Sequence, residues 1–366
     1  MSHYTLYKVN MKKNNVAIIT IFDIDNYGNR LQNYAVQEIL KKRGLYPITI
    51  KSEYFKNNFK YILWPMYKFL QIKYDIVFKK NLRRKRFIKF NRENISCSRI
   101  YYNSKYCPKF NYDYYVCGSD QIWNPYMNKM KNLDLLSYYD KEKCIALSAS
   151  FGVSELKYNE KNILKENIDK FKCVSVREKS GVEIIRGVSK KNVELLLDPT
   201  MILSVKEWKK IEKKFENLPD KYIATYFLSE PTKEIRKNII ELSEKYKCEI
   251  VNIMDKNDIF YTAGPSEFLY IIRNSTFVFT DSFHATTFSI LFNIPFFVVH
   301  RDYAKINLNN RILTILEKFK LQERFIKNFD LNMCHCDFTN ANNILEDERK
   351  KFNIFLDKCF EVNNEK

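Results

Sequence analysis

Glycine is scarce in this chain, seven among 366 residues, and histidine scarcer still, at four. So few glycines leave little room for the loops that cradle nucleotide phosphates, and the lone glycine of NYGN (26–29) falls far short of a G-x-G-x-x-G fingerprint. Few histidines leave few places for imidazole chemistry. No segment approaches the roughly 20 consecutive apolar residues of a membrane span, and the first fifteen residues hold no apolar leader core. The expectation is a cytoplasmic protein. Acidic side chains are also short, 43 against 62 Lys plus Arg, a net charge of +19. That field draws phosphates, anionic sugars, acidic membranes and nucleic acid without choosing among them. The chain is also rich in Lys, Asn and Ile, residues with A/T-rich codons, so part of the basicity reflects composition. Specific nucleic-acid binding would require basic residues along a groove with stacking aromatics, whereas the densest cluster lies in one segment near residue 85. The nine cysteines form an odd, scattered set without paired spacing, which reads as reduced thiols. Cys334, His335 and Cys336 are too crowded for the separated ligand pairs of a tetrahedral zinc site, so no structural metal is expected.

What is present is ample apolar material, 45% of residues with 28 Phe and 25 Tyr, enough for large cores. The length suits two domains. NVAIITIF (15–22) reads as a buried strand. RLQNYAVQEILKKRG then places Leu31, Tyr34, Ala35, Ile39 and Leu40 on one helical face, with Asn29 as a cap and Gly44 as a stop. PITI resumes the sheet, a β-α-β opening of the doubly wound kind. Further strands are expected at 112–117, 144–150, 173–178 and 193–198, and, after the connector DPTMIL, a second series at 221–228, 248–254, 276–280 and PFFVV. The expected organisation is an N-terminal domain over 14–198 with a helical basic insertion at about 52–92, a second domain over 199–340, and a C-terminal helix over 341–366. The aromatic stretch 61–80 and the basic run that follows admit two readings. One is an insertion with a solvated basic face, the other a surface that lies on the inner face of an anionic membrane.

In open α/β sheets, ligands bind beyond the carboxyl ends of strands, where helix N-termini expose N–H donors. Four turns stand there: DIDNYGN, GSDQIWNP (118–125), Arg177-Glu178 and DSFH (281–284). His284 opens a helix, where the macrodipole disfavours the charged ring and favours a bound anion. From position alone it reads first as a capping or packing residue and second as an acid or base. Asp281 and Ser282 can cap that helix. In GSDQIWNP, Asp120 and Gln121 can bond sugar hydroxyls and Trp123 can offer an aromatic face, or the segment is a tight turn with one core Trp. Arg177 can fork onto a carboxylate or phosphate, or pair with a neighbouring acid.

Taken in order, NYGNRLQNYAVQ, VCGSDQIWNP, SVREKSGVEI, LLLDPTMIL, AGPSEFLYIIRNSTFVFTDSFHATTFSILFNIPF and NNRILTIL resemble the polysaccharide pyruvyl transferase family over about 16–313. The resemblance implies an α/β fold of two Rossmann-like domains in a GT-B-like arrangement, with the active site in the interdomain cleft. It implies transfer of a pyruvyl group from phosphoenolpyruvate to two hydroxyls of a polysaccharide precursor, nucleotide- or lipid-linked, with release of phosphate. Phosphoenolpyruvate is then a co-substrate, and neither metal nor redox cofactor is required in principle. By similarity His284 matches the histidine of the family's Arg-Leu-His motif, Arg177 an arginine that holds the donor, and Asp120 lies in the N-domain active-site loop. Asn29, Gln121, Trp123 and Ser282 fall in the same blocks. One departure stands out: Ser282-Phe283-His284 lacks the motif's arginine, for which Arg311 or Lys305 can substitute from a neighbouring loop. The alternative is a GT-B-like glycosyltransferase that uses a nucleotide-sugar donor.

Overall fold

A computed structural model describes residues 14–22, 25–51, 74–98, 111–127, 130–301, 309–326, 329 and 331–360. Lys305 and residues 52–73 of the expected insertion lie outside the described residues. The chain builds two all-parallel sheets. The first has the order β2-β1-β3-β4-β5-β6, from β1 (Asn15–Ile19), β2 (Tyr46–Thr49), β3 (Tyr114–Cys117), β4 (Cys144–Ala149), β5 (Cys173–Val176) and β6 (Val193–Leu195). The second has the order β11-β10-β9-β7-β8, from β7 (Tyr222–Tyr226), β8 (Glu249–Asn252), β9 (Phe277–Thr280), β10 (Phe296–Val299) and β11 (Phe325–Ile326). Two doubly wound, Rossmann-like halves result. β1, β5, β6, β7 and β8 end two or three residues before their expected limits, and at β5 and β6 the residues left out of the ladder include the polar Arg177, Glu178 and Asp198.

Helices connect the strands: α1 (Tyr27–Lys41), α2 (Tyr74–Asn94), α3 (Tyr158–Ile168), α4 (Lys179–Arg186), α5 (Val205–Lys209), α6 (Lys233–Tyr246), α7 (Pro265–Asn274), α8 (Phe283–Phe292), α9 (Asn310–Phe319) and α10 (Thr339–Cys359). α1 differs from an ordinary surface helix, since thirteen of its fifteen residues are buried, polar ones included. Several of its buried amides bond to residues of the first sheet and its edge. Gln32 Nε2 donates to Thr20 Oγ1 (2.9 Å), Gln37 Nε2 to Thr49 Oγ1 (2.8 Å), and Thr49 Oγ1 to Asn33 Oδ1 (2.8 Å). Its cap is Asn26, whose side chain accepts from the Asn29 backbone N–H. Asn29 therefore lies inside the helix, which leaves its side chain available elsewhere. Gly44, at φ +73°, takes the left-handed turn after the helix, a conformation that suits glycine.

The halves share one apolar core, in which Val16, Ile18 and Val116 of the first sheet join Ala224, Val278 and Val298 of the second through the side chains of α1, α7 and α8. Tyr27 stacks on Phe268 of α7 (4.4 Å between centroids, 17°) and donates to the Ala263 carbonyl. The two halves thus meet along a partly polar seam at the described residues. α10 recrosses it: Arg349 donates to the Met201 and Leu203 carbonyls and Lys351 to Leu195 at the end of β6. Among the described residues no helix is long and apolar enough to cross a membrane.

Candidate active site

The carboxyl ends of β3, β5 and β6 deliver Asp120, Arg177 and Asp198 to one point, and the start of α8 brings His284 to it from the other half. Asp198 is the hub. Its Oδ2 accepts from Arg177 Nη1 (2.5 Å) and Ser119 Oγ (2.7 Å), its Oδ1 from the backbone and hydroxyl of Thr200, and it stands 3.9 Å from His284 Nε2. Arg177 also reaches Asp120 Oδ1 (3.3 Å), and Asn29 Nδ2 donates to Asp120 Oδ2. Asp120 itself adopts φ +86°, an uncommon conformation for a residue with a Cβ, and its strained turn aims the carboxylate inward.

Electrostatics follow from enclosure. Burial raises the carboxyl of Asp198, but the charges of Arg177 and His284 and the Ser119 and Thr200 hydrogen bonds outweigh it and hold the group at about 2. Burial opposes Asp120 ionisation in the same way, and Arg177, His284 and Arg311 bring it below the usual range. Burial lowers His284 beneath its ordinary value; Asp198 and Asp120 pull upward without restoring it. The imidazole is therefore neutral at pH 7. Arg311, on α9, is pushed down to about 10 by burial and by repulsion from Arg177.

Phe283 organises the two guanidiniums. The carbon of Arg177 lies 4.5 Å and that of Arg311 5.7 Å from its ring centroid. Gly28, in the first turn of α1, lies flush against the imidazole: a Cβ there would come 2.1 Å from His284 Nδ1. Only glycine permits that approach.

Buried polar groups in proteins almost always find partners. Here several do not. His284 Nε2, Arg311 Nε, Arg177 Nε, Glu178 Oε2 and Asn29 Oδ1 are all buried without a hydrogen bond. Arg177 Nε and Glu178 Oε2 form an ion pair at 3.9 Å, which leaves His284 Nε2, Arg311 Nε and Asn29 Oδ1 as the open groups of the cluster.

Asn29, Asp120, Arg177, His284 and Arg311 are brought together. Others are corrected. Trp123 is wholly buried between Phe151 and Phe171, with its indole N–H donating to the Asp134 carbonyl, so it offers no face to a sugar. Gln121 has its carbonyl taken by Asn124 Nδ2 (2.6 Å). Ser282 holds the N-cap position of α8 without a side-chain cap bond. Asp281 does not cap either: it accepts from the Leu228 and Ser229 backbone and from Arg301 Nε (3.0 Å), which orients the β9 exit just before His284. Arg177 is not an open fork, because its side chain is fully buried among carboxylates. Asp198 was missed, read within a connector. Its position three residues beyond β6, at the same sheet edge as Asp120 and Arg177, was the available signal.

The model of the polysaccharide pyruvyl transferase family matches residues 26–303, most of the chain and every residue of the site except Arg311. The chain belongs to that family. It is a transferase. No curated protein matches the sequence significantly. Solved structures align over most of their length at low identity. A UDP-GlcNAc 2-epimerase from Neisseria meningitidis bound to UDP-GlcNAc shows TM-score 0.44 and 11% identity, covering 93% of this chain and 99% of its own. The UDP-GlcNAc 2-epimerase from Methanocaldococcus jannaschii shows 0.45 and 13%, covering 91% and 98%. The kitacinnamycin glycotransferase shows 0.44 and 9%, covering 96% and 98%.

Proposed function

We propose that this pyruvyl transferase uses phosphoenolpyruvate as donor, forms a ketal on two hydroxyls of a glycan that is a cell-surface polysaccharide precursor, and releases phosphate at the His284 cluster. The observation that carries the reading is His284 Nε2, buried without a hydrogen bond 3.9 Å from Asp198 and in the field of Arg311, whose Nε also lacks one. A doubly anionic small molecule there would satisfy both.

The chemistry balances with these side chains. One sugar hydroxyl adds to C2 of the donor while C3 takes a proton, so the methylene becomes a methyl group. The second hydroxyl then forms the other C2–O bond as the C2–O bond to phosphate breaks. Of the two hydroxyl protons, one accounts for the new methyl hydrogen and the other leaves with phosphate. His284 is the acid for C3: burial favours its neutral form, and an anion beside it raises its proton affinity when the donor is present. Asp120, ionised because Arg177 neutralises it, is the base for the hydroxyls. Asp198 and Arg177 position the pair, and Arg311 supplies the guanidinium that Ser282 cannot.

The test is phosphate release from phosphoenolpyruvate in the presence of glycan acceptors, with the product weighed by mass spectrometry. Wild-type protein releases phosphate only with acceptor, and His284→Ala, still folded, does not. Nucleotide release from a sugar donor, with phosphoenolpyruvate inert, would replace this reading with that of a glycosyltransferase.

A further inference from the structure

The basic segment near residue 85 divides into two faces once it is seen as helix α2. The inner face belongs to the fold. Arg83 donates to the Tyr27 hydroxyl and to the Tyr261 carbonyl (3.1 Å), Arg86 to the carbonyl (3.1 Å) and hydroxyl (3.0 Å) of Thr262, and Phe87 and Phe90 are buried. Half of the basic run thus staples α2 to the second half of the protein and meets no outside partner.

The outer face is different. Lys80, Arg84, Lys85, Lys89 and Arg92 are exposed, spaced so that all five share the side of the helix away from the protein. Lys80, Arg84, Lys85 and Arg92 make no ion pair with the described residues. The one acid among the described side chains of α2, Glu93, is occupied by Lys213 (2.8 Å) with Lys89 at 3.9 Å. Amid the cations stands Ile88, 52% exposed. The described part of this face shows no aromatic ring, since Phe87 and Phe90 point inward.

We propose that the outer face of α2 docks on an anionic lipid bilayer. A straight helix face of about 20 Å, uniformly cationic with one aliphatic side chain at its centre, complements a flat sheet of anionic headgroups. A single-stranded nucleic acid would need a groove with stacking rings, which this face lacks. The inference stands on α2 alone and does not depend on the donor or on the chemistry at His284.

The experiment is flotation of the full chain with vesicles of phosphatidylcholine alone or mixed with phosphatidylglycerol, at low and high salt. Binding requires phosphatidylglycerol and weakens with salt. Arg84→Glu or Lys85→Glu alone lowers partitioning about fivefold or more, and reversing all five cations abolishes it. As a charge-matched control, reversal of five exposed lysines elsewhere (Lys161, Lys165, Lys233, Lys237 and Lys245) leaves flotation largely intact. Equal loss in the control would reduce the effect to net charge and overturn the proposal. So would failure to bind the anionic vesicles, or tight binding to generic DNA that vesicles do not displace. Thermal melting of the single variants, which remove no contact of the fold, shows that they are folded.

Discussion

Gly28→Ala adds one methyl group and removes no functional atom, yet it tests the site more sharply than many deletions. The added Cβ would stand 2.1 Å from His284 Nδ1, 2.5 Å from Cε1 and 2.6 Å from Cγ. Ordinary contact begins near 3.4 Å, so the ring must retreat by about 1.3 Å. α1 cannot yield instead, because several of its buried amides are bonded to the first sheet and its edge. Displacing a catalytic group by about 1 Å costs on the order of a hundredfold in rate. The expected result is therefore a loss of about 100-fold in kcat, with a modest effect on donor KM and a small change in Tm. The assay is acceptor-dependent phosphate release, read beside the melting curve. Unchanged kcat in a folded Gly28→Ala protein would show that the position of the ring is irrelevant to turnover, and the assignment of His284 would fail with it.

Other perturbations carry distinct signatures. Arg311→Met is expected to raise donor KM by about 10- to 100-fold without lowering Tm, because it removes a buried cation whose Nε has no hydrogen-bond partner and whose burial costs the fold on the order of 3 kcal/mol. A large drop in Tm would mean that Arg311 is a structural staple. Asp198→Asn breaks a buried pair and should cost about 3–5 kcal/mol in denaturant unfolding. Because the Asp198 carboxyl is depressed to about 2, its contribution, on the order of 2 kcal/mol, is present above about pH 4 and lost as pH falls towards 2. The acid limb of wild-type stability should flatten in the variant. Trp123→Ala should cost about 3–5 kcal/mol while leaving donor KM unchanged, as befits a core side chain. Finally, a hydrogen bond from Cys359 lowers the Cys173 thiol to about 7, whereas burial raises those of Cys97 and Cys336. Mass spectrometry after brief alkylation at pH 7 should find Cys173 modified first.

The fold was largely readable because apolar runs of four to six residues alternate with helical periods, and parallel strands buried on both faces leave that trace. All the expected strand runs form strands; β3, β9 and β10 keep their expected ends, whereas β1, β5, β6, β7 and β8 end two or three residues early. The residues trimmed from β5 and β6 include the functional ones: Arg177, Glu178 and Asp198 sit just past their ladders. Asp198 escaped notice because Asp before Pro reads as a turn, and nothing local reveals that its carboxylate meets an arginine 21 residues earlier. Trp123 was misjudged for the converse reason, since a strand exit can fold its large side chain back under the sheet. The partnering of Arg301 with Asp281 and the closeness of Gly28 to His284 join distant parts of the chain and leave no local mark. The inward turn of Arg83 and Arg86 in α2 likewise left no local mark in the basic run that contains them.

The most direct test follows the His284 imidazole itself by proton–nitrogen NMR as phosphoenolpyruvate is added, with resonances assigned by single substitution of the four histidines. The account predicts a neutral ring in the free protein whose resonance shifts on saturable donor binding and whose pKa rises, with the response weakened in Arg311→Met. An imidazole that titrates identically with and without phosphoenolpyruvate would contradict it.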